Sequence, residues 1–212
     1  MAIAISVAAS YLLGSIPFGL LVGKMRGIDI RDFGSGNIGA SNVLRTLGPV
    51  LGALVLLLDI GKGLAAIEIG KAFGLGGWVV ALVGLTSVLG HTFSLFLKFQ
   101  GGKAVATSLG VVIGLDPLIA AAGFGLWVVL VAVTRYISLS SIIAAVSVPT
   151  AMFAWSARDV PLAYRVFATV AAFTIVVRHI PNIRRLLSGT ETKIGQRVQT
   201  KVDTGSTEKN GE

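Results

Sequence analysis

The sequence predicts an all-α integral membrane protein with seven transmembrane helices, and three observations carry that expectation. Apolar residues make up 54% of the 212-residue chain and charged residues only 13%, about half the share of a soluble domain. The apolar residues gather into runs of the length a bilayer demands, roughly 20 residues at 1.5 Å rise each. Lysines and arginines fall almost entirely on alternate connections between those runs, as the positive-inside rule requires. So apolar a chain is not a disordered one. The absence of cysteine excludes disulfide scaffolds, thiolate nucleophiles and iron–sulfur centres. A net charge of +8 here speaks of orientation in a membrane rather than of nucleic acid.

The first run, 3–23, has no lysine or arginine before it. It lacks the basic start of a signal peptide and reads as a retained helix. The second and third runs cover 48–72 and 76–97, and a shorter one, 104–114, follows Gly101-Gly102-Lys103. Runs at 115–133, 139–155 and 162–178 complete the set. Charge decides whether the short run crosses. With the amino terminus outside and seven crossings, fourteen lysines and arginines lie inside and three outside, namely Lys71, Arg158 and Arg165. A re-entrant turn at 104–114 would instead put Arg135 and the basic carboxyl-terminal stretch outside, against the rule. The fourth helix is therefore short, covering about 16 Å of a ~30 Å core. That places Gly101-Gly102-Lys103 below the membrane surface, in a cavity lined by protein. Residues 1–191 form the membrane domain, and 192–212 read as a polar, disordered cytoplasmic tail.

Three stretches on the inner side hold almost all the unusual residues. In the first, Gly34, Gly36 and Gly39 are interleaved with Ser35 and Asn37, and Ser41, Asn42 and Arg45 follow. Glycines allow positive φ, so successive N–H groups can turn inward as an anion nest. The helix that follows presents further amides, and Arg45 offers a planar fork for phosphate oxygens. A flexible interhelical loop is the plainer reading. No Gly-Lys-Ser/Thr follows, so this is not a P-loop. In the second stretch, Gly101 and Gly102 allow close backbone approach and Lys103 supplies a point charge, although an inside-loop cation needs no ligand. The third places His179 three residues before Asn182, a spacing that can share a helical face. Histidine suits proton transfer near neutral pH, while interfacial anchoring explains a basic helix end equally well. Ser141 stands among the serines opening the sixth run, one of which serves as a cap.

Asp59 and Lys62 lie three apart in mid-span, where charges are costly and functional by default. An i,i+3 ion pair competes as a structural explanation. His91, also within a span, reads as a packed histidine. Two histidines far apart in a chain without cysteine make a poor zinc site, so no metal is expected. Together the stretches point to an anion site with hydroxyl and imidazole groups, opening between apolar helices.

Gly14-Ser15-Ile16-Pro17, Gly34 to Arg45, Asp59 to Lys62, Gly90-His91, Gly101 to Thr107 and His179 to Leu186 together resemble the acyl-phosphate:glycerol-3-phosphate acyltransferases, the PlsY family. The resemblance runs from about Tyr11 to Glu191, with the motifs in family order. Ile38 and Ser41 depart from it, standing where proline and threonine are frequent, and neither departure removes a charged or imidazole group. The resemblance implies transfer of an acyl group from acyl phosphate to the 1-hydroxyl of sn-glycerol 3-phosphate, giving lysophosphatidic acid and phosphate without a cofactor. It implies catalytic roles for Ser35, His179 and Asn182. The loop from Gly34 to Asn42 would hold the acyl phosphate, with Arg45, Gly101, Gly102, Lys103 and Ser141 binding substrate. Ser35 would donate a hydrogen bond rather than carry the acyl group, and the base would be His179 or an oxygen of the bound phosphate. The expected setting is the cytoplasmic face of a bacterial inner membrane. An upstream acyl-phosphate-forming enzyme would be the functional partner, with no role for nucleic acid. A histidine with an aspartate five residues on, as in acyltransferases dependent on acyl-CoA or carrier protein, is absent, since Phe96 and Arg184 stand there.

A carrier or binding protein for an organic phosphate is the alternative. Carriers usually show internal repeats and a site at mid-membrane, whereas this site lies towards one face. A pure head-group scaffold would have little use for Ser35 and His179 together.

Overall fold

The computed structural model describes residues 1–155 and 158–196, and every regular element among them is helical. Expectations for 197–212 lie outside the described residues. The first run is broken into α1 (Ala2–Ser15) and α2 (Phe18–Met25). Pro17 explains the break, because its ring drives the residue before it out of the α region and Ile16 stands at φ −60, ψ 117. The glycine-rich loop then leads into α3 (Ala40–Leu47), an amphipathic helix of eight residues, too short to cross anything. Proline at the first turn starts α4 (Pro49–Ala72), where its missing N–H costs nothing.

α5 (Gly77–Thr92) ends earlier than the apolar run suggests, and a 3₁₀ turn at Leu95–Leu97 carries the chain to the second glycine loop. α6 (Val105–Leu115) follows, then α7 (Pro117–Thr134), capped by Asp116 through the N–H groups of Leu118 and Ile119. The same carboxylate holds Arg158 at 2.9 Å, tying the start of α7 to the segment that follows α8 (Ile137–Ala154). α9 (Leu162–Arg178) and α10 (Ile180–Leu187) meet at a 55° bend.

Five helical stretches have the length and composition to cross a membrane, and a sixth does if α9 and α10 count as one bent span. α6, with 11 residues, reaches about 16 Å and falls short of the hydrocarbon thickness. It is instead packed against α4 at backbone distance. A Cβ on Gly63 would overlap the Thr107 carbonyl oxygen, and one on Gly110 that of Ile60. Small residues at such crossings let helices approach where lipid offers no competing hydrophobic drive. By contrast, only 11% of α7 is buried, so most of its surface faces outward.

Two apolar clusters hold the bundle. Ile67, Val88, Val111, Ile119, Met152 and Phe167 fill the space between α4 and α9. Leu20, Ile30, Ile38, Val43 and Val55 form a smaller core beneath the first glycine loop, between α2, α3 and α4. The C-terminal ends of α1 and α5 lie together, where Ser94 Oγ donates to the Ser15 carbonyl at 2.6 Å.

Overpacking against backbone has no cheap relief, so Gly110→Ala is expected to destabilise the detergent-solubilised protein by about 2 kcal/mol. Gly125→Ala, at a position with open space around it, should leave stability within about 0.5 kcal/mol. Thermal unfolding followed by tryptophan fluorescence measures both.

Candidate active site

The first glycine loop is held from within. Gly34 and Gly36 adopt φ of +60° and +67°, the left-handed region open to glycine. Asn42, wholly buried, is its central post. The Asn42 amide donates to the carbonyls of Ile30 (2.9 Å), Phe33 (3.1 Å) and Asn37 (2.9 Å), and its Oδ1 accepts from the Ser35 N–H at 2.9 Å. Asn37 Oδ1 in turn accepts from the Gly39 N–H at 2.9 Å, just before α3 begins. With its polar atoms engaged in this way, Asn42 holds the loop together from within. Ser35 is thereby presented on an exposed tip.

The second glycine loop is pinned on both sides. Its Gly101 and Gly102 N–H groups donate to the carbonyls of Thr92 and His91, each at 3.0 Å. Arg178, at the end of α9, donates back to the Gly101 carbonyl at 2.8 Å and the Gly102 carbonyl at 3.2 Å. Lys103 therefore leaves a fixed turn, and its Nζ donates to Asn182 Oδ1. Burial first, and the nearby Arg185, Arg45 and Arg178, pull its ammonium down to about 8, although Glu191 opposes them.

Asn182 bridges Lys103 to Glu191, donating through Nδ2 to Oε1 at 2.7 Å. Ser138 Oγ donates to the same oxygen at 2.7 Å, and Arg185 Nε to Oε2 at 2.7 Å. Burial alone would raise the Glu191 carboxyl, but these three donors outweigh it and hold the group below the usual range. Arg45 is buried, and its guanidinium donates to the Thr192 carbonyl at 3.1 Å. The residues after Glu191 run on to pair with Arg135, where the Ile194 N–H donates to the Arg135 carbonyl at 2.8 Å. At the α9–α10 bend, His179 Nδ1 lies 2.8 Å from the Ile175 carbonyl. A carbonyl only accepts, so Nδ1 carries the proton and Nε2 of the neutral ring is left as an acceptor.

These groups share one cavity of about 340 Å³. Of the residues read from the sequence, Ser35, Asn37, Gly39, Ser41, Arg45, Asp59, His91, Lys103, Ser141, His179 and Asn182 line it. Gly34, Gly36, Asn42, Gly101 and Gly102 are not on its wall and shape the loops behind it. The inner half is apolar, with Leu56, Leu109, Phe124, Val148, Ala168 and Ile175. Trp127 closes one side, stacked on Phe124 with centroids 5.8 Å apart and donating to Ser141 Oγ at 3.1 Å. The cavity thus joins an apolar slot to a cationic mouth, a shape suited to an amphiphile with an anionic head.

Glu191 and Arg178 have no site role in the sequence reading. Ser138, one of the serines from which a helix cap is expected, instead donates to Glu191, while α8 starts without a side-chain cap. Glu191 carried one signal, being the sole carboxylate between residues 160 and 202 and standing shortly after Arg184-Arg185. Arg178 looked like one more inside cation, and nothing local marks it as the partner of a loop 76 residues away. Among the described residues no cluster of three or more His, Cys, Asp or Glu side chains is placed to hold a metal.

A family model described as glycerol-3-phosphate acyltransferase matches residues 4–189. The glycerol-3-phosphate acyltransferase of Synechococcus sp. (strain JA-2-3B'a(2-13)) is 47% identical over 194 residues, 91% of this chain and 95% of that protein. Its counterpart in Geobacter sulfurreducens is 46% identical over 189 residues, 89% of this chain and 96% of that one. Two crystal structures of PlsY (YgiH), an integral membrane glycerol 3-phosphate acyltransferase, superpose closely. The glycerol 3-phosphate form has a TM-score of 0.87 at 42% identity, covering 92% of this chain and 96% of that one. The lysophosphatidic acid form has a TM-score of 0.85 at 42% identity, covering 92% and 97%. From its sequence, its helical architecture and this likeness along nearly its whole length, the chain belongs to the PlsY-type glycerol-3-phosphate acyltransferase family.

Proposed function

We propose that this chain transfers an acyl group from acyl phosphate to the 1-hydroxyl of sn-glycerol 3-phosphate, releasing inorganic phosphate and lysophosphatidic acid. The observation that carries the reading is a single cavity in which Ser35, Arg45, Lys103, His179 and Asn182 meet above an apolar slot. The relatives solved in glycerol 3-phosphate and lysophosphatidic acid forms support the same acceptor and product.

In this mechanism the acyl chain lies in the slot and its phosphate against the first glycine loop. Lys103, Arg45 and Asn182 hold the acceptor's phosphate, with Ser141 beside it. The acceptor's hydroxyl oxygen attacks the carbonyl carbon, the new ester C–O bond forms, and the bond from that carbon to the phosphate oxygen breaks. Phosphate is a good leaving group, so the reaction calls for little acid assistance. Two anions repel each other, and the cations offset that repulsion while fixing the geometry. Ser35 Oγ donates a hydrogen bond to the donor's head and is not itself acylated. The hydroxyl proton has two acceptors in this arrangement, His179 Nε2 and the departing phosphate. We place the site at the cytoplasmic face of a bacterial inner membrane, with α6 as the short fourth of seven crossings and the amino terminus outside. The lopsided distribution of lysine and arginine supports that placement.

Purified protein given palmitoyl phosphate should release phosphate only when sn-glycerol 3-phosphate is present, with lysophosphatidic acid appearing in equal amount. Ser35→Ala and His179→Ala should each lower kcat/KM by about 100-fold or more while the protein stays monodisperse. Phosphate release without an acceptor, or uptake of glycerol phosphate into proteoliposomes without acylation, would sink the assignment.

Lys103 binds an anion only while protonated, and its ammonium titrates at about 8 in the unliganded site. The kcat/KM for the acceptor, which reports groups of the free enzyme, should therefore fall as pH rises through that value. Lys103→Arg keeps its charge over this range, so its profile should stay flat there whatever its absolute rate.

A further inference from the structure

Asp59 and Lys62 of α4 and His91 of α5 form a buried charged group to which acyl transfer, as described above, assigns no step, although Asp59 and His91 reach the wall of the same cavity. Each is at least nine-tenths buried, with 2%, 3% and 4% of its surface exposed. Lys62 Nζ lies 2.7 Å from Asp59 Oδ1 and donates to the Ile16 carbonyl at 2.9 Å. That carbonyl stands at the break between α1 and α2, where helix geometry leaves oxygens without partners. The ammonium also lies 5.4 Å from the centroid of Phe18, the first residue of α2. On the other side of Asp59, His91 Nδ1 is 3.6 Å from the same carboxylate oxygen, beyond hydrogen-bond distance but within strong coulombic reach.

Each arm of this group ends at the support of one anion-binding loop. The far edge of the His91 ring packs on Gly102, where an added Cβ would overlap Nε2, and the His91 backbone carbonyl accepts the Gly102 N–H at 3.0 Å. On the Lys62 arm, α2 leaves the break and presses Gly19 against the first glycine loop, where an added Cβ would overlap the Ile38 carbonyl oxygen. Burying three charged or ionisable groups in an apolar bundle is costly, and apolar residues of similar volume often match or exceed such a group in stability. A gain in positional definition accounts for them where a gain in stability does not.

We propose that Asp59, Lys62 and His91 are positioning residues that hold the loops 34–42 and 101–103 in register, with the His91 imidazole as the backstop of the Gly102–Lys103 turn. The Lys103 ammonium then meets the acceptor's phosphate at a fixed place. This rests on Lys103 as the acceptor's anion-binding group.

The two glycines of the turn give a test. A Cβ on Gly102 would meet the His91 ring, whereas one on Gly101 would meet the backbone carbonyls of His91 and Thr92, which no side-chain change can move away. In the full-length protein, isothermal titration with sn-glycerol 3-phosphate reads affinity without requiring acyl transfer. Gly102→Ala and Gly101→Ala should each weaken binding by about tenfold. In a His91→Ala background, adding Gly102→Ala should cost less than about twofold, while adding Gly101→Ala should cost its full tenfold, a coupling specific to one pair. The same pattern should appear in KM for the acceptor and not in KM for acyl phosphate. Equal losses from Gly102→Ala with and without the imidazole would overturn the proposal, as would equal relief of both glycine variants. His91→Ser serves as the background if the alanine variant does not purify in folded form. Native protein that binds glycerol phosphate but does not consume acyl phosphate would instead end the acyl-transfer reading, and the titrations would still decide the coupling.

Discussion

Irregular backbone within an apolar bundle persists only where the protein itself supplies its hydrogen-bond partners, and both glycine loops of this chain meet that condition with side chains dedicated to it. Asn42 satisfies three carbonyls and one N–H of the first loop. Arg178 and the carbonyls of His91 and Thr92 satisfy the second. Several of the loop amides are consumed in this support, including those of Ser35, Gly39, Gly101 and Gly102. The short α6, the break at Pro17 and the bend at His179 all place chain ends where the two loops can face one another. Helix geometry is given up at just the points where the site needs backbone groups free.

The charges follow a similar economy. Arg45, Lys103 and Arg185 share one carboxylate, Glu191, which is fully occupied by donors from Ser138, Asn182 and Arg185. A site lined by several cations must offset their mutual repulsion. Glu191 moderates that repulsion from the side, leaving Lys103 and Arg45 on the cavity wall. Its place between α8 and α10 also ties the last helix to the bundle. One residue therefore bears on both the field of the site and its assembly.

The sequence made the cavity's most polar residues legible because they are out of place in so apolar a chain. Ser35, Arg45, Lys103, His179 and Asn182 stood out by residue type and by the glycines near them, and the structure brings them to one wall. Asn42 stands out in the same way, since an asparagine that props a loop and one that binds a phosphate look alike in sequence until its partners are known. Glu191 and Arg178 could not be read in this way, because their roles depend on contacts across the bundle. The break at Ile16-Pro17 was hidden for a different reason. The apolar pattern continues straight through it, and hydropathy reports the solvent a segment prefers rather than whether its helix is continuous.

The outward-facing surface of α7 sets the conditions under which such an enzyme meets its substrates. Trp127 and Phe124 belong to that helix and also line the apolar part of the cavity; under the proposed reaction, one layer of side chains would then separate the acyl chain from lipid. A single-chain amphiphile dissolved in the bilayer is counted as a mole fraction of lipid, while a glycerol phosphate is counted per volume of water. Under the proposed reaction, diluting the membrane with inert lipid would therefore lower the effective supply of the acyl donor and leave that of the acceptor untouched, so that the two saturation curves would belong to different phases.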